Sequence, residues 1–184
     1  MPNVTPEESI LIQSLALAEC YIKLGEMEVQ NDTLIAENLN RIFGPVGKQM
    51  TEMRHSVFQG QGTLVSVFYM FLVLPHEWAK NGIGDFASLK SKFSKPEAVA
   101  KKLAVVEEDY EDTDYGALRH FRNALAHGRI YGHESGGLVV EDQRNCQKYR
   151  AVYSMKSLGC IAQSLYETIT EHLKSVMKKR EAEA

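Results

Sequence analysis

Leu11, Leu15, Ala18 and Ile22 recur at intervals of three and four, the repeat of one helix face. Thr5-Pro6-Glu7-Glu8 stands before them as a start signal. Thr5 can cap, Pro6 suits a first turn, and Glu8 closes a capping box. A long first helix is therefore expected to about residue 28. Asn31-Asp32 can cap a second helix that ends near Phe43, before Gly44-Pro45. Residues 47–59 read as a third, and Gly60-Gln61-Gly62 precedes an apolar fourth over Leu64 to Leu74, which Pro75 kinks or ends. Asp85 and Pro96 open two shorter helices. A further helix over 113–127 closes at Gly128, the residue suited to a left-handed cap.

The period then changes from helical to alternating. Leu138-Val139-Val140 and Tyr149 to Tyr153 are β-branched and aromatic, with Gly136-Gly137 and Asp142 to Asn145 as turns. They predict a small hairpin or three short strands. Leu158, Ile161, Leu165, Ile169, Leu173 and Val176 mark a long final helix, with fraying expected over 178–184. The expectation is one mainly α domain over 1–184: an antiparallel helical bundle with a β insertion at about 129–155. Trp78, Phe86 and Phe93 are assigned to its core.

Composition narrows the class without naming a function. Of 184 residues, 44% are hydrophobic and 24% charged, which is ordinary globular usage. The net charge of −3 excludes a protein whose whole surface binds nucleic acid, while leaving room for a local basic site. The eleven-residue apolar run from Leu64 to Leu74 is far shorter than the ~20 residues of a membrane span. Cys20, Cys146 and Cys160 form no pair at metal or disulfide spacing. With no secretory pattern at the N-terminus, these features lead us to expect a cytoplasmic protein with no membrane, metal or cofactor. Six acids crowd residues 107–114 and read as a solvated loop.

The chemistry concentrates in residues 116–128, Gly-Ala-Leu-Arg-His-Phe-Arg-Asn-Ala-Leu-Ala-His-Gly. At about 100° per residue, Ala117, Leu118, Phe121, Ala124, Leu125 and Gly128 share one arc. Arg119, Arg122, Asn123, Ala126 and His127 share the other. The helix contains no acid after Asp114, so nothing within it neutralises the cationic face. His127 lies in the last turn, where the negative helix end favours the imidazolium. Such a face suits an anion in a reaction that moves protons. Charge is polarised along the chain in the same sense, at +3 over residues 119–150 and −6 over the remainder.

Arg122-Asn123-Ala124-Leu125-Ala126-His127-Gly128 resembles the R-x4–6-H motif of the HEPN superfamily, whose residue after Arg is typically polar. The resemblance extends over about residues 96–180, because the motif closes a helix late in a helical bundle and one long helix follows. It implies a metal-independent ribonuclease acting as a homodimer, with two motif helices meeting in a cleft. Toxins and host-defence nucleases are among such proteins, so an antitoxin of unspecified type is a further implied partner. By position, Arg122 would hold the scissile phosphate, His127 would exchange protons as the 2′-hydroxyl attacks, and Asn123 would orient the histidine or the phosphate. Arg119, Arg129 and Tyr131 would contact the RNA. One toxin subgroup has a tyrosine two residues after the histidine; Arg129 stands there in this chain. The alternative is a non-catalytic HEPN module that binds a nucleotide, RNA or a protein through the same face.

Other signals are weaker. Gly44-Pro45-Val46-Gly47-Lys48-Gln49 lacks the spacing of a phosphate loop, and His76-Glu77 lacks the second histidine of a zinc-protease helix. Arg54 and His55 could line a cleft. Tyr131, His133, Arg144, Lys148 and Arg150 could extend an RNA-binding surface, with unpaired bases stacking on Tyr131 or Tyr149.

Overall fold

The computed structural model describes residues 4–30, 37, 41, 42, 45, 61–83, 86–108, 116–134, 136–144 and 147–183. The helices expected over 31–43 and 47–59 lie largely outside them. So do most of the phosphate-loop-like segment, Arg54, His55, and the acidic run after Glu108.

Helix α1 spans Pro6–Gln30. Its expected capping box is formed: the Glu8 amide donates to Thr5 Oγ1 at 3.3 Å, and the Thr5 amide donates to a Glu8 carboxylate oxygen at 2.9 Å. Leu11, Leu15 and Ala18 are buried. The apolar segment forms one continuous rod in three parts: α2 (Gln61–Phe68), a π-helical turn (Tyr69–Val73) and α3 (Leu74–Lys80). Pro75 does not end it, since the helix continues to Lys80. Proline has no N–H for the carbonyl four residues back, and its ring crowds that carbonyl; the wider turn just upstream accommodates both. Short helices α4 (Phe86–Ser91) and α5 (Ser94–Leu103) follow.

Strand β1 (Val105–Glu108) comes next, then helix α6 (Ala117–Ala126). After these come β2 (Ile130–Gly132), β3 (Leu138–Arg144), β4 (Gln147–Tyr153) and the long α7 (Met155–Glu183). The fold is mainly α, as the sequence indicated, but the β part is larger than expected. Four antiparallel strands run in the order β1-β4-β3-β2. The insertion therefore cannot be confined to about 129–155: β1 precedes α6 and takes up Glu107 and Glu108, which had been assigned to the acidic loop. Asp142, assigned to a turn, lies in β3 opposite Tyr149. Its outward neighbours in sequence, Glu141 and Gln143, are polar, and that local polarity mimics a turn.

Between sheet and helices lies a core of Phe68, Phe121 and Tyr153, with ring centroids 4.6 and 5.4 Å apart in succession. Leu158, Ile161, Leu165 and Ile169 of α7 complete it, each fully buried. Phe86 is buried, with Trp78 and Phe93 packed partly buried against the cluster. Among the described residues no helix is long and apolar enough to cross a membrane.

Helix α7 does not fray at 178. Arg180 makes two hydrogen bonds to the Glu8 carboxylate, at 2.7 and 2.8 Å. Burial alone would push the Glu8 carboxyl up; the hydrogen bonds from Arg180 and from the Thr5 amide outweigh it and hold the group below the usual range. A depressed folded pKa contributes stability above the unfolded value, lost as pH falls through the folded one. Arg180→Ala should therefore cost about 2 kcal/mol at pH 7, with the gap to wild type closing below about pH 4. Urea melts across that range check this.

Candidate functional site

Helix α6 carries the motif, and both its ends are fixed by specific contacts. At the start, Gly116 is the N-cap and has no side chain to offer. Glu97 of α5 supplies the cap instead, accepting the amides of Ala117 at 2.6 Å and Leu118 at 3.0 Å. An anion here also meets the positive end of the helix dipole. A Cβ on Gly116 would lie 2.5 Å from that carboxylate. At the other end Gly128 takes φ +65°. Its amide donates to Leu125 O at 3.3 Å and that of Arg129 to Ala124 O at 2.8 Å, a Schellman closure. His127 is therefore the C-cap itself, exposed, with its backbone amide bonded to Asn123 O at 3.0 Å.

The apolar arc is buried at Ala117, Leu118, Phe121, Ala124 and Leu125, as the wheel indicated, whereas Gly128, placed on the same arc, is exposed. The polar arc is not simply solvated. Arg122 is half-buried and its Nη2 donates to Asn123 Oδ1 at 2.7 Å. Its Nη1 lies 2.9 Å from both ring nitrogens of His76 on α3. Asn123 Nδ2 donates to Asp142 Oδ2 at 3.0 Å. His120 Nδ1 meets the same oxygen at 2.9 Å.

The expectation that no acid balances this face holds only within the helix. The counter-charge arrives from β3, on Asp142, which is 5% exposed. Burial would raise its pKa, but hydrogen bonds from His120 and Asn123 outweigh burial and hold it below the ordinary carboxylate value. It is thus an anion at neutral pH and accepts only, so His120 must carry the Nδ1 proton. His120 is 3% exposed and stacks on Tyr149, centroids 3.9 Å apart.

Burial, with Arg119 nearby, pushes the Arg122 guanidinium below its usual value, yet it stays cationic. Burial and then Arg122 push the His76 imidazole down, which favours its neutral form. Neutral histidine has one acceptor nitrogen, and Arg122 faces it.

Arg119, Arg122 and His76 line a cavity of about 670 Å3 beside α6, with Leu72, Leu89 and Glu97 among its other walls. That volume is typical of a small-molecule or nucleotide-sized site. His127 does not line it, and the hydrogen bond that joins it to Asn123 is the backbone bond of the helix end. Arg129 and Tyr131 border a second, smaller hollow of about 230 Å3, with Asp142, Lys148 and Arg150. Tyr131 is 49% exposed and offers a ring face.

Two expectations about the hairpin surface are corrected. Tyr149 is buried against His120 and cannot receive a base. Arg150 bonds Glu107 at 2.6 Å and Glu141 at 2.9 Å, so its charge is already matched. The side chain of Arg144 lies outside the described residues. His76, Asp142 and His120 were missed as site residues because each reaches α6 through tertiary pairing. The one sequence signal was His120 itself, a polar residue beside the apolar arc. Among the described residues no group of three or more His, Cys, Asp or Glu could hold a metal ion.

The family model for HEPN pEK499 p136 matches residues 15–175. The chain belongs to this HEPN family, and its helical fold and motif helix agree with that membership. Searches of curated proteins and of solved structures found no match.

The cap of α6 yields a direct test. Gly116 has φ −85°, which alanine also adopts, so the cost of Gly116→Ala lies in displacing Glu97. Gly116→Ala and Glu97→Ala should each cost about 1–2 kcal/mol. In the Glu97→Ala background the Gly116 substitution should cost almost nothing. A double-mutant cycle from urea melts reads the difference.

Proposed function

We propose that this HEPN protein is a metal-independent endoribonuclease that acts as a homodimer, with Arg122 and His127 as the catalytic pair. The observation that carries the reading is the state of Arg122. It is a half-buried cation held by two neutral groups, Asn123 and His76, at the edge of a cavity shared with Arg119. Among the described residues no carboxylate oxygen is hydrogen-bonded to it, so its charge stays directed at an incoming anion.

The chemistry follows from those groups. Attack of a ribose 2′-hydroxyl on the adjacent phosphorus builds negative charge on the phosphoryl oxygens, which a guanidinium meets in bidentate fashion. Stabilising such charge is commonly the largest catalytic contribution. His127, exposed at the helix end, is the side chain that exchanges protons in this reading. An internal nucleophile needs no metal and leaves a 2′,3′-cyclic phosphate. Asn123 fixes the guanidinium, and Arg119, Arg129 and Tyr131 extend the RNA contact. On this reading the protein acts on cytoplasmic RNA as a toxin or a host-defence nuclease. In a toxin role an antitoxin is its second partner.

The separation of His127 from the cavity favours one other reading. In it, a non-catalytic HEPN module binds a nucleotide, RNA or protein on the Arg122 side alone.

Purified protein incubated with RNA in EDTA distinguishes them. Cleavage should persist and leave 2′,3′-cyclic ends, and Arg122→Ala or His127→Ala should each slow it by about 10²-fold or more. RNA bound but left intact supports the binding module; cleavage that EDTA abolishes contradicts both.

A further inference from the structure

His76 belongs to no motif in the chain, yet both nitrogens of its ring lie 2.9 Å from the motif arginine. It sits on α3 just past Pro75, half-buried, and faces the cavity that Arg119 and Arg122 share. We propose that His76 is the proton-accepting residue of the reaction, its lone pair covered by Arg122 until a phosphate draws the guanidinium away. This rests on the ribonuclease reading and divides the proton work that His127 alone would otherwise carry.

The geometry supports an exchange. Arg122 is held from two sides: Nη2 on the Asn123 amide oxygen, Nη1 against the imidazole edge. Asn123 is itself fastened to buried Asp142. The guanidinium can therefore pivot about the Asn123 bond, giving up only the imidazole contact when a phosphate arrives. Phosphate offers the guanidinium a full negative charge and two acceptor oxygens in bidentate geometry, which a neutral imidazole does not, so the exchange is downhill. It exposes a free imidazole lone pair beside the bound phosphate, where a 2′-hydroxyl would lie.

The imidazole is also kept in the form that a base requires. Burial and Arg122 disfavour its protonation, and Lys90 on α4 and Lys80 on its own helix act in the same direction. Glu77, next to it in sequence, opposes them. Arg119 on α6 and Glu97 on α5 complete the charged groups of the cavity.

The step balances as follows. The 2′-oxygen bonds to phosphorus while its proton passes to His76. The bond from phosphorus to the 5′-oxygen breaks, and the departing oxygen takes a proton from the His127 imidazolium. The products are a 2′,3′-cyclic phosphate and a 5′-hydroxyl, and solvent resets both histidines.

Two substrates separate the roles: an RNA oligonucleotide, and a nucleoside 3′-(4-nitrophenyl phosphate) whose nitrophenolate departs without a proton. His76→Ala should slow both by about 10²-fold or more, with part of the rate restored by added imidazole. His127→Ala should slow the oligonucleotide far more than the ester. In wild type, kcat/KM should fall on the acid side with a midpoint below about 6.5, the ordinary imidazole value, and His76→Ala should lose that limb. His76→Asn keeps an acceptor for Arg122, so it should remain slow if His76 is the base. Wild-type rates in His76→Asn would show that His76 only holds the arginine, and would overturn the proposal.

An NMR titration of the imidazole signals with a 2′-deoxy dinucleotide separates this failure from that of the parent reading. His76 should then titrate at higher pH, as the phosphate replaces the guanidinium. Intact RNA cleavage with unmoved His76 signals overturns the base role alone. A wild type inactive on both substrates overturns the ribonuclease reading and the base role with it.

Discussion

An ionised carboxylate removed from water must be fully hydrogen-bonded or it takes up a proton. Asp142 meets that condition through three donors: His120 and Asn123 on α6, and the Gln143 amide on its own strand. The consequence is mechanical as well as electrostatic. Satisfying this one anion ties β3 to α6 at a defined register and fixes the Asn123 amide, with its oxygen turned to Arg122. The arginine is thus oriented without being neutralised by direct contact. Had the acid been hydrogen-bonded to Arg122 itself, the cavity would face a closed ion pair rather than a cation.

The surrounding architecture serves the same geometry. Glu97 caps α6 from α5, and Gly128 turns the chain into β2 immediately after His127. The π-helical turn ahead of Pro75 lets the apolar rod continue, which brings His76 on α3 across from Arg122. Phe68 of the same rod packs on Phe121 of α6. Helix, sheet and rod therefore meet at the motif: Asn123 and His76 hold the arginine, and Asp142 of the sheet holds Asn123.

How much of this could be read from the chain depends on whether the cause is local. The capping box at Thr5 and Glu8, the apolar repeat of α7 and the glycine closure at Gly128 all act within a few residues, and each is formed as expected. The motif helix and its buried arc were legible for the same reason. Strand β1 was not, because its partner β4 lies more than forty residues on and the acids around Glu107 suggest a loop. Asp142 was hidden by polar neighbours on the solvent face of β3. His120 and His76 show the limit from the other side. Each is an unremarkable histidine until the fold sets it beside a carboxylate or a guanidinium.

Arg122 and His127 are five residues apart, which at about 100° per residue sets them about 140° apart, at the two edges of the polar arc. The first faces the cavity and the second is exposed on the cap. On the ribonuclease reading, a second protomer is therefore needed to complete the site. The most direct measurement is a structure of the protein with a bound RNA fragment, read at each copy of His127. The account predicts a twofold cleft in which Arg122 of one protomer and His127 of its partner both touch one phosphate. Motif helices facing apart, with each His127 in solvent far from any phosphate, would contradict it.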